Sequence, residues 1–263
     1  MIYPHQQKAI DYITEKLRSD PQVDALLISG SIAHGFNNEH SDVDINIVVS
    51  DEIYEQKSKE NAITWYESAE DFYPGGYFDG KFITLRYLAL VDERGNEPTR
   101  FALQDSYIAF DKTDQVADYI DRIGVYKEEC VKENTIRFVS QLDAWKWYCE
   151  EALKRNEPYL LDVSASKLIL YAGRLVLLEN RLLFPYHKWF TRVLEQTKNK
   201  PEGLMQAIQD LLADKSQANI MRLYELVKNY KDWRDGVPYR WSSHFVHDVE
   251  TVWMRQDDCI ENI

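Results

Sequence analysis

Basic residues are in short supply: the 263-residue chain carries 31 Lys and Arg against 44 Asp and Glu, for a net charge of −13. A protein that wraps nucleic acid shows a basic patch or stripe. None is visible, and the short lysine clusters are interrupted by acids, as in Lys127-Glu128-Glu129. A polynucleotide partner is therefore disfavoured. Most of the acids read as a solvated surface, and a few beside a cleft would steer a cationic small substrate. Cysteine is scarce too. Cys130, Cys149 and Cys259 are odd in number, and their spacing fits neither a zinc site nor a disulfide framework. They read as reduced thiols of a cytoplasmic protein. Long hydrophobic runs are missing: the most apolar stretch, Leu168 to Leu178, holds Gly173 and Arg174 and is too short to span a membrane. The N-terminus, Met1-Ile2-Tyr3-Pro4-His5-Gln6, lacks the apolar segment of a signal peptide. No repeat or low-complexity segment is present. What remains is a globular composition, 44% hydrophobic, sized for one large domain or two modest ones.

The chain divides in character. Ile10, Ile13 and Leu17 fall at helical spacing after Pro4, and Ser19-Asp20-Pro21 ends that helix. Val23 to Ser29 reads as a strand, and the β-branched alternation of residues 43–49 as a second. Residues 52–70 read as polar and mostly helical. Further strands are expected over Lys81 to Leu90 and Tyr107 to Phe110. After about residue 113 the periodicity is helical. Leu168, Tyr171, Leu175 and Leu178 share a face, as do Leu204, Ile208, Leu211 and Leu212, and Ile220, Leu223, Tyr224 and Val227. Six of the seven tryptophans lie after residue 140 and read mostly as core. The expected fold is α+β: a mixed sheet with helices over 1–112, followed by an all-helical domain over 113–263.

One segment carries chemistry: Leu26-Leu27-Ile28-Ser29-Gly30-Ser31, a loop containing Gly35, then Ser41-Asp42-Val43-Asp44 opening an apolar strand. Glycine lets a phosphate approach the backbone, and N–H groups at a helix start together with the Ser31 hydroxyl suit phosphate oxygens. Side chains alternate along a strand, so Asp42 and Asp44 face the same way. Two such carboxylates form a hard oxygen site for Mg²⁺. Taken singly, Gly-Ser usually marks a turn and Asp-x-Asp a solvated strand end. The combination is far more specific.

That combination resembles the signature of the DNA polymerase β-type nucleotidyltransferase superfamily, and the layout is similar to small antibiotic nucleotidyltransferases of the kanamycin and lincosamide type. The motif covers roughly residues 26–49. The resemblance implies a Mg²⁺-dependent enzyme moving a nucleoside monophosphate, AMP from ATP or another, to a hydroxyl of a small acceptor, with release of pyrophosphate. It implies Asp42 and Asp44 as metal-holding catalytic residues, and Gly30, Ser31 and Ser41 as nucleotide-binding. It also implies a third carboxylate on a later strand, for which Asp79 is the first candidate and Asp92 the second. Asp79 has a competing reading as the Asp of an ordinary Asp-Gly turn. From the helical half the resemblance implies a triphosphate-binding lysine, Lys167 or else Lys188, and a general base. Glu128, Glu129, Asp143, Glu150 and Asp162 stand as candidates for that base. A nucleotidyltransferase acting on protein or tRNA, and a non-catalytic nucleotide-binding module, are the alternative readings. The oligomeric state, a homodimer included, stays open.

Overall fold

The structure is a computed structural model that describes residues 1–255, 259–261 and 263. It forms two compact units, Met1–Val125 and Tyr126–Ile263.

The first unit is built on a five-stranded mixed sheet in the order β3-β4-β2-β1-β5. Its strands are β1 (Val23–Ile28), β2 (Val43–Val49), β3 (Thr64–Ser68), β4 (Tyr77–Ile83) and β5 (Tyr107–Asp111). β1 runs antiparallel to β2 and β5, β3 antiparallel to β4, and β2 parallel to β4. Alternation divides the strand residues between two cores. On one face Leu26, Ile28, Val43, Ile45, Ile47, Val49, Phe78 and Phe82 pack against Ala9, Ile10, Ile13 and Leu17 of α1 (Pro4–Arg18). On the other, Ala25, Leu27, Val48 and Ile83 pack with α4 (Leu85–Arg94), Leu103 of α5 (Glu97–Leu103), and α6 (Val116–Ile123). Asp42, Asp44 and Asn46 share the parity of Val48, and Asp79 and Lys81 that of Ile83. The polar ends of β2 and β4 therefore project on the α4/α6 side.

Three expectations for this unit are corrected. Residues 52–70 are not mostly helical: α3 (Asp51–Lys59) ends early and Thr64–Ser68 is edge strand β3. The apolar run Lys81–Leu90 is not one strand, because the Thr84 hydroxyl accepts from the Tyr87 N–H and starts α4. Thr84 and Arg86 are thus a cap and a helical residue. The division lies at 125/126 rather than 112/113, because Val116, Ile120 and Ile123 of α6 bury themselves in the sheet core.

The second unit is all-helical. Its centre is a hairpin of α7 (Glu128–Arg155) and α8 (Pro158–Glu179), turned by Asn156 in the left-handed conformation (φ 52°, ψ 49°). From Leu168 to Leu178 every residue of α8 is buried. Four helices follow: α9 (Tyr186–Gln196), α10 (Leu204–Ala213), α11 (Gln217–Lys228) and α12 (Trp241–Phe245). A π-helical stretch, Val246–Glu250, continues α12. Leu212 is 53% exposed and leaves the apolar face of α10, which Leu204, Ile208 and Leu211 form. Of the six later tryptophans only Trp233 is buried; Trp147 and Trp241 sit near each other instead, 6.2 Å apart. Among the described residues no helix is long and apolar enough to cross a membrane.

Candidate active site

Parallel pairing of β2 with β4 sets the site. Its register places Asp44 opposite Asp79 and Asn46 opposite Lys81. Asp42, at the entrance to β2, completes the group: one carboxylate oxygen of each of Asp42, Asp44 and Asp79 lies within 4.8 Å of the other two. Asp79 is therefore a strand residue next to the first two acids, and the turn reading of Asp79-Gly80 is superseded. Asp92 stands elsewhere, on α4, paired with Arg122 at 2.7 Å. The donor set of three carboxylates is the hard oxygen chemistry that fits Mg²⁺.

Gly30 closes the site from the β1 side. It has φ +61°, and a Cβ there would fall 1.8 Å from Asp44 Oδ2. Only glycine leaves room for the carboxylate. Ser29 donates its N–H to the Asp44 carbonyl (2.9 Å), and its hydroxyl accepts from Asn46 Nδ2 (2.8 Å). Ser31 is buried, with an Oγ that has no protein partner. The helix beginning here, α2 (Gly30–Ala33), is a single turn, so a phosphate at this point would meet individual N–H and hydroxyl groups rather than a macrodipole. Ser41 is engaged locally: its hydroxyl accepts the Asn38 N–H at 2.9 Å, bracing the loop that delivers Asp42.

Several residues that sequence reasoning did not select shape this site. Gln6, fully buried, donates to the Asn38 and Ser41 carbonyls at 2.8 and 3.1 Å and accepts from Asn37 Nδ2 at 2.8 Å. The Tyr73 hydroxyl donates to the Ser41 carbonyl at 2.9 Å. Burial raises the Tyr73 phenol above its ordinary range, and the Asp42 charge adds to this. Tyr77 is raised by the same carboxylate, first through its charge and then through a hydrogen bond. Tyr66, opposite Asp79 in the β3–β4 ladder, lies 5.6 Å from Tyr77. Lys81 is the fourth charge of the cleft. Desolvation by surrounding protein lowers its ammonium, and the Asp44 and Asp79 charges oppose this. The cleft itself, about 270 Å³, is lined by Ser29, Gly30, Asp44, Asn46, Asp79 and Lys81 among others. A tyrosine two residues before an acidic strand position, and a lysine two after it, are the signals that sequence spacing offered.

Residues 11–85 match the family described as polymerase beta, nucleotidyltransferase. The first unit carries a polymerase β-type nucleotidyltransferase domain. No curated protein sequence matches the chain. A nucleotidyltransferase-like protein from Exiguobacterium sibiricum 255-15 is similar in structure, with 11% identity and a TM-score of 0.47, over 96% of this chain and 80% of that one. The nucleotidyltransferase motif thus spans β1, β2 and β4, the strands that bring the carboxylates together.

The helical residues singled out from sequence all lie in the second unit. Lys167 sits within α8, nine residues after its first residue Pro158, and is ion-paired with Glu261. Lys188 is exposed in the first turn of α9. Among the base candidates, Asp143 accepts from Lys228 (2.7 Å), Tyr224 (2.9 Å) and Tyr239. Glu128 pairs with Arg181, Glu150 with Lys146 and Asp162 with Lys215. Glu129 lines a cavity of about 630 Å³ with Glu133, Arg137, His244 and His247. Buried Asp248 braces that wall, with an oxygen 2.9 Å from Arg137 Nε and 3.2 Å from His247 Nδ1. None of the three cysteines is disulfide-bonded, and burial pushes the Cys149 thiol up to about 12.

Proposed function

We propose that this protein is a Mg²⁺-dependent enzyme that moves a nucleoside monophosphate, AMP from ATP, to a hydroxyl of a small molecule. The convergence of Asp42, Asp44 and Asp79 beside Gly30 carries this reading. These three carboxylates would hold the divalent cations, and Gly30, Ser31 and Ser41 would border the triphosphate. Such cations, when bound, supply charge that favours an attacking alkoxide and a departing pyrophosphate. In the transfer, the acceptor oxygen bonds to the α-phosphorus as the bond to the pyrophosphate oxygen breaks, and the hydroxyl proton passes to a base. Lys167 and Lys188 are the lysines of the second unit proposed for the nucleotide.

The acceptor class rests on charge and on the aromatic edge of the site. A chain at −13 draws cations, and Tyr66 and Tyr77 offer ring faces to a sugar or an ammonium. An aminoglycoside- or lincosamide-like antibiotic fits this description, and with it a role in antibiotic resistance. Thiols outside disulfides are consistent with a cytoplasmic setting.

Radiolabelled ATP, Mg²⁺ and a panel of hydroxylated antibiotics test the proposal, with an Asp42→Ala/Asp44→Ala variant as control. Transfer of label in the wild type and its loss in the variant are expected. Transfer that persists in the variant overturns the carboxylate assignment; absence of both transfer and nucleotide binding in the wild type overturns the function.

A further inference from the structure

We propose that Lys81 is a phosphate-contacting residue of this site, its ammonium binding the polyphosphate of the nucleotide. The inference rests on the function proposed above and adds a residue to it.

Register is the first support. Lys81 lies two residues beyond Asp79 on β4, so it projects on the same side of the sheet, one pleat further along. It borders the same cleft as Ser29, Gly30, Asp44 and Asp79, and is the one cation among the described residues lining it. The second support is that its ammonium closes on no acid among the described residues. No ion pair to Lys81 occurs among the described residues, although the Asp44 and Asp79 charges act on it. The side chain also remains accessible to solvent. A lysine kept only to offset the three acids would be expected to close on one of them.

The third support is the polar lining on the β1–β2 side. Asn46 lines the cleft, its Oδ1 is buried without a partner, and it lies opposite Lys81 in the ladder. Buried polar atoms are nearly always satisfied. An unpartnered acceptor beside a cation points to a ligand that carries both a donor and negative charge, as a nucleotide does with its ribose hydroxyls and phosphates. Carboxylates alone repel a polyphosphate. Cations held by those carboxylates neutralise part of it, and Lys81 supplies a fixed positive charge from the protein itself, as a point charge with three donors.

Calorimetric titration of the full chain in Mg²⁺ with ATP, with pyrophosphate and with adenosine tests this, comparing wild type, Lys81→Met and Lys81→Arg. Methionine keeps the apolar stem and removes the charge. Loss of one charge-assisted contact should weaken ATP and pyrophosphate by about tenfold or more. Adenosine should bind as in the wild type, and Lys81→Arg should recover most of the loss. Mg²⁺ titrated alone should bind Lys81→Met as tightly as wild type or tighter, since a positive charge near the acids has gone. Unchanged ATP affinity in Lys81→Met overturns the inference while the proposed function stands. Equal weakening of adenosine, or Mg²⁺ binding lost together with ATP binding, overturns it in favour of a structural role. Wild type that binds neither ATP nor pyrophosphate removes the proposed function and this inference with it.

Discussion

Gly30→Ala is the substitution for which the structure gives the clearest arithmetic. Two costs add. The backbone sits at φ +61°, where an L-residue is disfavoured by roughly 1–2 kcal/mol. The new methyl would also lie 1.8 Å from Asp44 Oδ2, 2.4 Å from Cγ and 2.8 Å from Cβ. Asp44 is on a central strand, so relief comes from turning its side chain out of place, and overpacking of this kind costs about 1–3 kcal/mol. The two parts are separable. The backbone cost is independent of residue 44, whereas most of the steric cost vanishes once Asp44 is cut back to alanine. Urea denaturation of the wild type, Gly30→Ala, Asp44→Ala and the double variant should give a coupling energy of about 1–3 kcal/mol. Mg²⁺ affinity should fall in Gly30→Ala as far as in Asp44→Ala, because both lose the same carboxylate from the cluster. Equal destabilisation by Gly30→Ala in both backgrounds, or a Gly30→Ala protein with full Mg²⁺ affinity, would refute this account of the glycine.

Two further outcomes follow from buried charge. His34 stacks 4.2 Å from Phe101, and burial holds its imidazole below the ordinary value of 6.5, with Asp105 opposing. The folded state favours the neutral ring, so unfolding takes up a proton as pH falls. The contribution is complete above 6.5 and is lost as pH drops from there through the folded value. Between about pH 7 and about pH 5 the urea midpoint of the wild type should therefore fall more than that of His34→Gln; parallel profiles would contradict it. In the second unit, Asp143→Ala strands the Lys228 ammonium and the Tyr224 and Tyr239 hydroxyls, whose phenols are raised chiefly by burial and then by Asp143. A loss of about 3–5 kcal/mol is expected on tryptophan fluorescence, which reports mainly this unit, and a loss below about 1 kcal/mol would show the hub to be dispensable.

Much of the site was legible because its parts are local. Strand β2 follows from β-branched alternation, and Asp42 and Asp44 from its period of two. Asp79 was harder. Asp-Gly is ordinary turn chemistry, and nothing local distinguishes a turn glycine from Gly80, which is required because a Cβ there would meet Ile45 Cγ1 at 2.7 Å. That contact spans two strands and has no sequence neighbour. Strand β3 was missed because, as an edge strand with alternate residues exposed, it carries little hydrophobic signal. The stop between β4 and α4 depends on one threonine side chain within an apolar run. Gln6 and Tyr73 act through carbonyls of a loop more than 30 positions away, a relationship that composition does not record.

Parallel pairing of Asp44 with Asp79 also has a consequence for assembly. A slip of one residue in the ladder would turn Asp79 to the α1 face and bring Phe78 or Gly80 opposite Asp44. The convergence of the carboxylates and the correct strand alignment are thus a single property. A ligand that gripped both carboxylates would grip both strands, so occupancy of the site would act as a proofreader of the sheet, favouring the one alignment in which it could bind.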